Sequence, residues 1–297
     1  MYNTEYIPQW EQYTRNIFWS VALTNLIGFV STIFFLIHIL PLAATLVGSS
    51  FSHNTSAAEA ELSQFGAVFL LMKALVLAGY VGYIMGLSRF ASIQPDEEGA
   101  QAVSRVRTGL IVVCTTSVLY YFLPWLMQAA DATLFLVVCL ALWVADIVGY
   151  SLMMVGYKRL KQSPYYNEKA AQGAENLRYA ALCGIRLVVL PVVTLCIVVL
   201  ILFMTYHSAQ SSAMEMQLTG ANLSSLDSFT GTIAQIASLF RTGGLLLVLV
   251  AITAAVLAAC WGFAALAKPI LGWSCIRSGY LVEPAEETET EETETEE

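Results

Sequence analysis

The sequence predicts an all-α, polytopic membrane helix bundle of about six transmembrane helices, with both chain ends in the cytoplasm. The first observation behind this prediction is composition: 57% of the 297 residues are hydrophobic and only 12% are charged, which lies outside the range of soluble domains. The net charge of −8 belongs to the C-terminal end, because nine glutamates lie within 283–297 and the rest of the chain carries +1. The embedded body is therefore nearly neutral.

The second observation is a set of six long apolar runs. About 20 helical residues are needed to cross about 30 Å of hydrocarbon, and the runs lack the strict alternation of barrel strands. Residues 1–16 form a cytoplasmic segment without the basic start of a cleavable signal peptide. A transmembrane domain then covers 17–275. Its spans are predicted near 17–48, 65–90, 107–129, 132–157, 179–206 and 242–267.

The third observation is the distribution of lysine and arginine between the two sides of the membrane. Basic residues concentrate in cytoplasmic loops and ends. With the first helix running outward, only Arg241 falls on the outer side, whereas eleven basic residues fall on the inner side. This bias predicts the N-in, C-in orientation. The inner residues are Arg15, Arg89, Arg105, Arg107, Lys158, Arg159, Lys161, Lys169, Arg178, Lys268 and Arg277.

Capping signals locate the starts of four helices. Ser56 to Glu59 reads Ser-Ala-Ala-Glu, a capping box that begins the second helix. Asp131 is the expected N-cap of the fourth. Pro95-Asp96 and Asn167-Glu168 are typical of the first turns of the third and fifth helices. Because these starts precede the apolar runs by about ten residues, both helices are predicted to project into the cytoplasm.

The outer segment 208–240 is the longest predicted loop. Apolar residues recur there at helical spacing, which predicts an interfacial amphipathic helix at about 225–240; the alternative is a surface that docks a membrane protein partner. The C-terminal segment 276–297 ends in a glutamate and threonine repeat that is too charged and too simple to fold. We interpret it as a disordered acidic cytoplasmic tail and as a second place where a partner could bind.

An internal repeat emerges when the chain is compared with itself at an offset of seventy residues. Both copies run inward, turn in the cytoplasm and return, so the repeat of two helical hairpins is parallel. Duplication of a two-helix unit explains it, and convergence of similar helix ends remains the alternative. Gly79-Tyr80, Gly86 and Arg89 match Gly149-Tyr150, Gly156 and Arg159; with one added residue, Ala100-Gln101 and Arg107 match Ala171-Gln172 and Arg178.

Three charged residues lie inside the hydrocarbon part of the predicted spans, away from the span ends, and are the main candidates for function. They are Lys73, Asp146 and Arg186, and a charge in hydrocarbon costs several kcal/mol unless it is paired or hydrated. Tyr80 and Tyr150, which are repeat equivalents, share helix faces with Lys73 and Asp146. The five residues form a candidate cluster for a polar or anionic substrate, an ion or a proton. The alternative is a structural ion pair that sets helix register.

A second polar stripe runs along the first span and consists of Thr24, Asn25, Ser31 and His38. It either lines a path or contributes hydrogen bonds to helix packing. The three histidines lack the spacing of metal ligands. The six cysteines contain no CxxC pair and are expected to pack as small apolar residues. The sequence therefore predicts neither a metal site nor a bound cofactor.

Function is only coarsely predicted. Walker loops, dinucleotide-binding glycine motifs and hydrolase motifs are absent from the sequence, and the mixed charge of the cytoplasmic hairpins argues against nucleic acid. The leading hypothesis is a non-enzymatic membrane protein that passes a solute or ion through its buried polar cluster. The alternatives are a scaffold or subunit of a larger membrane complex and a membrane-embedded enzyme acting on lipid. The expected location is the cell membrane, as a multi-pass protein of a bacterial inner membrane.

Overall fold

The computed structural model describes residues 6–49, 56–123, 131–218, 226–279 and 281. This part of the chain is all-helical, and each of its six helices contains a stretch long and apolar enough to cross a membrane. The all-α and six-helix parts of the prediction are thus confirmed. The helices are α1 (Tyr6–Ser49), α2 (Ser56–Ala91), α3 (Glu97–Tyr120), α4 (Ala132–Gln162), α5 (Glu168–Leu218) and α6 (Leu226–Ser278).

The predicted cap residues stand at the starts of their helices. The Asp96 carboxylate accepts a hydrogen bond from the Gly99 N–H at 3.2 Å, and the Asn167 side chain accepts one from Ala170 at 2.9 Å. These bonds satisfy backbone donors that a helix start leaves unpaired. Asp131 occupies the N-cap position of α4, but its side chain makes no capping bond.

The region between the fifth and sixth predicted spans is more helical than the sequence suggested. α5 continues to Leu218, and α6 begins at Leu226 and runs without interruption to Ser278. The helix predicted at 225–240 is therefore the first part of α6 rather than a separate element, and its interfacial placement stays a prediction. Residues 219–225 lie outside the described residues, as do 1–5 and the acidic tail from Val282 onward.

The chain divides into two compact units. Unit 1 contains residues 1–182 and 265–297, and unit 2 contains 183–264. Within unit 1, the helix pairs α1 with α2 and α3 with α4 pack most extensively, and α2 also packs on α3. Unit 1 holds the large buried side chains at its centre, among them Trp273, Tyr157 and Phe90, each at most 1% exposed.

Close approach between helices in unit 1 depends on glycine. A Cβ atom on Gly86 of α2 would lie 2.6 Å from the Ile17 side chain of α1, and one on Gly156 of α4 would lie 2.6 Å from Val106 of α3. Each of these positions therefore admits only a hydrogen. Gly86 and Gly156 are equivalent in the predicted repeat, so the two helices use the same residue type for the same kind of contact, although duplication itself stays a prediction.

A third contact of this kind joins the parts of α5 and α6 that belong to unit 1. A Cβ atom on Gly272 would lie 2.6 Å from the Leu177 side chain. The residue after each of the three glycines is at most 1% exposed; these residues are Leu87, Tyr157 and Trp273. Three antiparallel helix pairs thus direct corresponding side chains into one core.

Aromatic side chains close one end of unit 1. The Trp10 ring of α1 lies 5.1 Å from the Phe90 ring and 5.7 Å from the Tyr166 ring. Tyr166, in the connection between α4 and α5, also forms an isolated antiparallel bridge with Leu281. The segments predicted to be cytoplasmic therefore meet at the same end of this unit.

Unit 2 consists of the remaining part of α5 and the first part of α6. Its described surface is strongly apolar, as expected for helices that contact lipid rather than water. Among its exposed side chains are Leu195, Leu200, Phe203, Leu249 and Phe263.

Candidate functional site

A cleft between α2 and α3 in unit 1 contains two of the predicted site residues. Its volume is about 360 Å³, within the range of small-molecule sites of about 300 to 1,000 Å³. Lys73 and Tyr80 line it from α2, where they lie two helical turns apart on one face. Lys73 is partly buried and lies within Leu70–Ala91, the stretch of α2 that is long and apolar enough to cross a membrane.

Apolar side chains form most of the cleft wall. Polar groups come from Lys73, Tyr80, Ser117 and Tyr121, and the Ser117 hydroxyl donates to the Val113 carbonyl oxygen at 2.7 Å. An ammonium and phenol O–H groups in an apolar wall can bind an anion or a polar group. The other lining residues are Leu70, Ala74, Val76, Leu77, Cys114, Val118 and Phe122.

Asp146 takes part in a buried hydrogen-bond network between α3 and α4. The residue is 7% exposed. Its carboxylate accepts one hydrogen bond from the Thr116 hydroxyl and another from the Tyr120 hydroxyl at 2.9 Å. The two donors lie four residues apart on α3, so they present hydroxyls on the same helix face. Both carboxylate oxygens therefore have a donor from the neighbouring helix.

The two tyrosines of the predicted repeat lie close to this core. Tyr80 and Tyr150 both pack against the buried hydrophobic cluster of unit 1, and Tyr150 lies within electrostatic range of Tyr80 and Asp146. Unit 1 thus contains four of the five residues of the predicted cluster. Lys73 and Tyr80 share the cleft, and Asp146 and Tyr150 lie one turn apart on α4.

Arg186, the fifth residue, belongs to unit 2. Its guanidinium lies over the Trp261 ring, 5.6 Å from the ring centroid, a geometry in which the ring face attracts the cation. The predicted ion pair between Asp146 and either Lys73 or Arg186 stays a prediction. The described contacts give Asp146 hydroxyl donors and give Arg186 an aromatic ring.

The polar stripe of the first span makes local and interhelical hydrogen bonds. The Thr24 hydroxyl donates to the Ser20 carbonyl at 2.6 Å, where α1 approaches Gly79 of α2. Asn25 donates from Nδ2 to the Leu266 carbonyl of α6 at 3.0 Å. Ser31 is fully buried, and the His38 side chain lies outside the described residues. The Thr24 and Asn25 contacts match the packing alternative for this stripe, and its use as a path stays a prediction.

A buried polar network at the centre of unit 1 was missed by the sequence reasoning. The Tyr83 and Tyr157 hydroxyl oxygens lie 2.6 Å apart, and the Trp273 indole N–H donates to the Tyr83 hydroxyl at 2.9 Å. Tyr83 precedes Gly86 by three residues, and Tyr157 and Trp273 each follow one of the packed glycines. That spacing is the signal that could have identified them.

The hydroxyl partners of Asp146 were also missed. Thr116 and Tyr120 lie in an apolar run near the outer end of the third predicted span, where a threonine and a tyrosine are unremarkable. Among the residues that the structure describes, no three histidine, cysteine or acidic side chains converge as metal ligands do. The candidate site thus consists of one cleft with a cation and phenols, and one buried carboxylate with two hydroxyl donors.

Comparison with protein-family models, with curated proteins and with solved structures finds no match to this chain.

Proposed function

We propose that this chain is a non-enzymatic membrane protein that passes a solute or ion through its polar cluster. The observation that carries the proposal is the cleft between α2 and α3, in which Lys73 and Tyr80 line one space between two helices that are each long and apolar enough to cross a membrane. A lysine within a span is costly to keep in the membrane. In this proposal the position of Lys73 on the cleft wall gives it the role of attracting an anion or polar solute.

The cluster residues have different roles in this proposal. Lys73 attracts the solute at the cleft, and Tyr80 offers a phenol deeper in the same space. Asp146, held by Thr116 and Tyr120, is a fixed acceptor near Tyr150. Arg186 is a second cation whose planar group rests on Trp261.

The setting of this activity is also part of the proposal. We place the chain in the cell membrane, as a multi-pass protein of a bacterial inner membrane with both ends in the cytoplasm. The proposal also takes α2–α3 and α4–α5 as two copies of one hairpin. Green fluorescent protein fused after Glu297 should fluoresce, whereas alkaline phosphatase fused there should be inactive, because the phosphatase folds only in an oxidising exterior. The opposite result would reverse the topology.

Flux across vesicle membranes tests the proposed passage. Purified protein is reconstituted into phosphatidylcholine vesicles that contain lucigenin, which chloride quenches, or pyranine, which reports protons. The wild-type protein should raise one of the two fluxes above that of protein-free vesicles. Lys73→Ala and Asp146→Asn should abolish the increase while the yield and elution volume of the protein stay the same.

Other outcomes favour the competing functions. If Lys73→Ala, Asp146→Asn and Arg186→Ala fail to accumulate in the membrane, the charges are structural. If neither flux rises and a stoichiometric partner co-purifies through 208–240 or the acidic tail, the chain is a scaffold or subunit of a larger complex. Turnover of an added phospholipid, measured by thin-layer chromatography, would instead favour an enzyme acting on lipid.

A further inference from the structure

We propose that the α2–α3 cleft binds an amphiphilic organic anion, a carboxylate or phosphate head on a single acyl chain. The inference rests on the proposed use of Lys73 as a ligand-binding residue, and it names the class of ligand. It follows from three properties of the cleft: its mixed lining, the positions of its polar groups along the helices, and its exposure on the lipid-facing side of α2 and α3.

The lining matches a ligand that is charged at one end and apolar elsewhere. Seven of the eleven lining residues are apolar or are cysteine. A ligand without an apolar part would use only the polar groups of this wall and would leave its apolar surface uncovered. An acyl chain instead gains about 0.8 kcal/mol for each CH₂ that it buries.

The polar groups are distributed unevenly along the cleft. α2 and α3 are antiparallel neighbours, so Lys73, near the Leu70 end of the long apolar stretch of α2, is closer to the Tyr121 end of the cleft than to its Cys114 end. Tyr80 lies within electrostatic range of both Cys114 and Tyr121. Lys73 and Tyr80 are separated by about 10 Å along the axis, from a rise of about 1.5 Å per residue. An anionic head at Lys73 would direct its chain along Ala74 and Leu77.

Access to the cleft is from the membrane rather than from water. Leu70 and Phe122, which line it, are 66% and 58% exposed on the surface of the helix pair, and they belong to apolar stretches. A ligand already dissolved in the bilayer can enter between them sideways. The 360 Å³ volume suits one short chain better than a two-chain phospholipid, whose site would sit near the upper end of the usual range of about 1,000 Å³.

Equilibrium binding tests the inference separately from transport. The protein is placed in phosphatidylcholine nanodiscs with 11-(dansylamino)undecanoate, whose emission shifts to the blue in an apolar site; protein-free nanodiscs give the background. Decanoate should displace the probe at least about tenfold more effectively than decanol, because only decanoate carries the charge that Lys73 recognises. Equal displacement by the two would overturn the proposal.

Two pairs of matched variants locate the site. Lys73→Met should weaken displacement of the probe by decanoate about tenfold or more and leave displacement by decanol unchanged. Lys169→Met, at an exposed lysine of α5, is the control and should change displacement by neither compound. Ala74→Phe fills the cleft and should abolish probe binding. Ala78→Phe adds the same ring one turn further along α2, outside the cleft, and should not.

The outcomes separate the head groups and the two proposals. Decyl phosphate that competes more strongly than decanoate identifies a phosphate-headed lipid as the ligand; the reverse identifies a fatty acid. If Lys73→Met does not fold, the comparison of probe binding by Ala74→Phe and Ala78→Phe decides whether the cleft is the binding site. Binding at the cleft without any flux overturns the proposed passage and keeps the ligand class. If flux depends on Lys73 but decanoate and decanol displace the probe equally, the proposed ligand class is overturned and the proposed passage stands.

Discussion

The Tyr83 hydroxyl of α2 lies 2.6 Å from the Tyr157 hydroxyl of α4, seventy-four residues further along the chain. The same Tyr83 oxygen accepts the indole N–H of Trp273 from α6. One phenol therefore connects three helices in the core of unit 1. Because buried polar groups are costly when unpaired, the network favours the one arrangement of the helices that satisfies all three groups.

Removing the Tyr83 hydroxyl should weaken this arrangement. Tyr83→Phe keeps the ring but deprives Trp273 of its acceptor and Tyr157 of its partner, at a cost of about 1–3 kcal/mol. Thermal unfolding of the purified protein in detergent, followed by circular dichroism, measures the loss. Tyr179→Phe is the control, since that ring is exposed and lies under Lys268. Equal midpoints for the two variants would contradict the role of the network.

Gly156 should not tolerate even a methyl group. A Cβ there would lie 2.7 Å from the Ala102 carbonyl oxygen and 2.6 Å from Val106, and a backbone oxygen cannot move aside cheaply. Gly156→Ala should therefore lower stability by about 1–3 kcal/mol, measured as a lower midpoint of thermal unfolding.

The same substitution at Gly262 provides the matched control. Nothing in the described part of the chain lies within 4 Å of a Cβ at that position. Alanine is the better helix former by about 0.5–1 kcal/mol, so Gly262→Ala should leave the midpoint unchanged or raise it. A loss as large as that of Gly156→Ala would show that helix approach does not explain the effect.

Asp146 and Tyr120 should be energetically coupled. Tyr120→Phe removes a hydrogen bond to a carboxylate, which is worth about 1.5–3 kcal/mol. Asp146→Asn leaves one acceptor oxygen for two hydroxyl donors. A double-mutant cycle on unfolding stability should give a coupling energy of about 0.5–3 kcal/mol. Tyr121→Phe paired with Asp146→Asn should give a coupling near zero, and additivity in both cycles would contradict the network.

Tyr166 should make stability fall at alkaline pH. Burial is the largest influence on this phenol and raises its pKa; its hydroxyl donates to Gln94 at 3.1 Å. The unfolded phenol ionises near pH 10 while the folded one stays neutral. The stabilisation is therefore complete below pH 10 and is lost as pH rises toward the folded pKa, by about 1.4 kcal/mol per pH unit.

Comparison with Tyr166→Phe isolates this effect from the other tyrosines. Between pH 10 and pH 11 the midpoint of the wild-type protein should fall more steeply than that of the variant. At pH 8 the wild-type protein should keep the advantage of its hydrogen bond to Gln94. Parallel pH profiles would mean that Tyr166 ionises at its ordinary pKa.

Local features of the fold could be predicted because they depend on neighbouring residues. Asp96 and Asn167 cap α3 and α5 because a short polar side chain reaches a backbone N–H three residues away. The boundary between 208–240 and the last span was predicted less well. α6 continues through Gly243-Gly244, since a helix in an apolar surrounding satisfies backbone groups that a break would expose.

The candidate site could be predicted only in part. Lys73 and Tyr80 lie on one helix face by spacing alone, and the structure adds that this face borders a cleft with α3. The partners of Asp146 could not be read from the sequence. The approach of Thr116 and Tyr120 to Asp146 depends on how α3 and α4 are rotated about their axes, and an apolar run without a polar face does not specify that rotation.

The sequence by itself determined that this protein is helical, with six runs long and apolar enough to cross a membrane, since a helix satisfies its own backbone hydrogen bonds within such a run. The tertiary structure decided which helices approach closely, at Gly86, Gly156 and Gly272, and which polar groups meet in the core. Those contacts join residues up to 190 positions apart. Their energies depend on distances of a few ångströms between helices, which hydropathy and spacing along one helix do not encode.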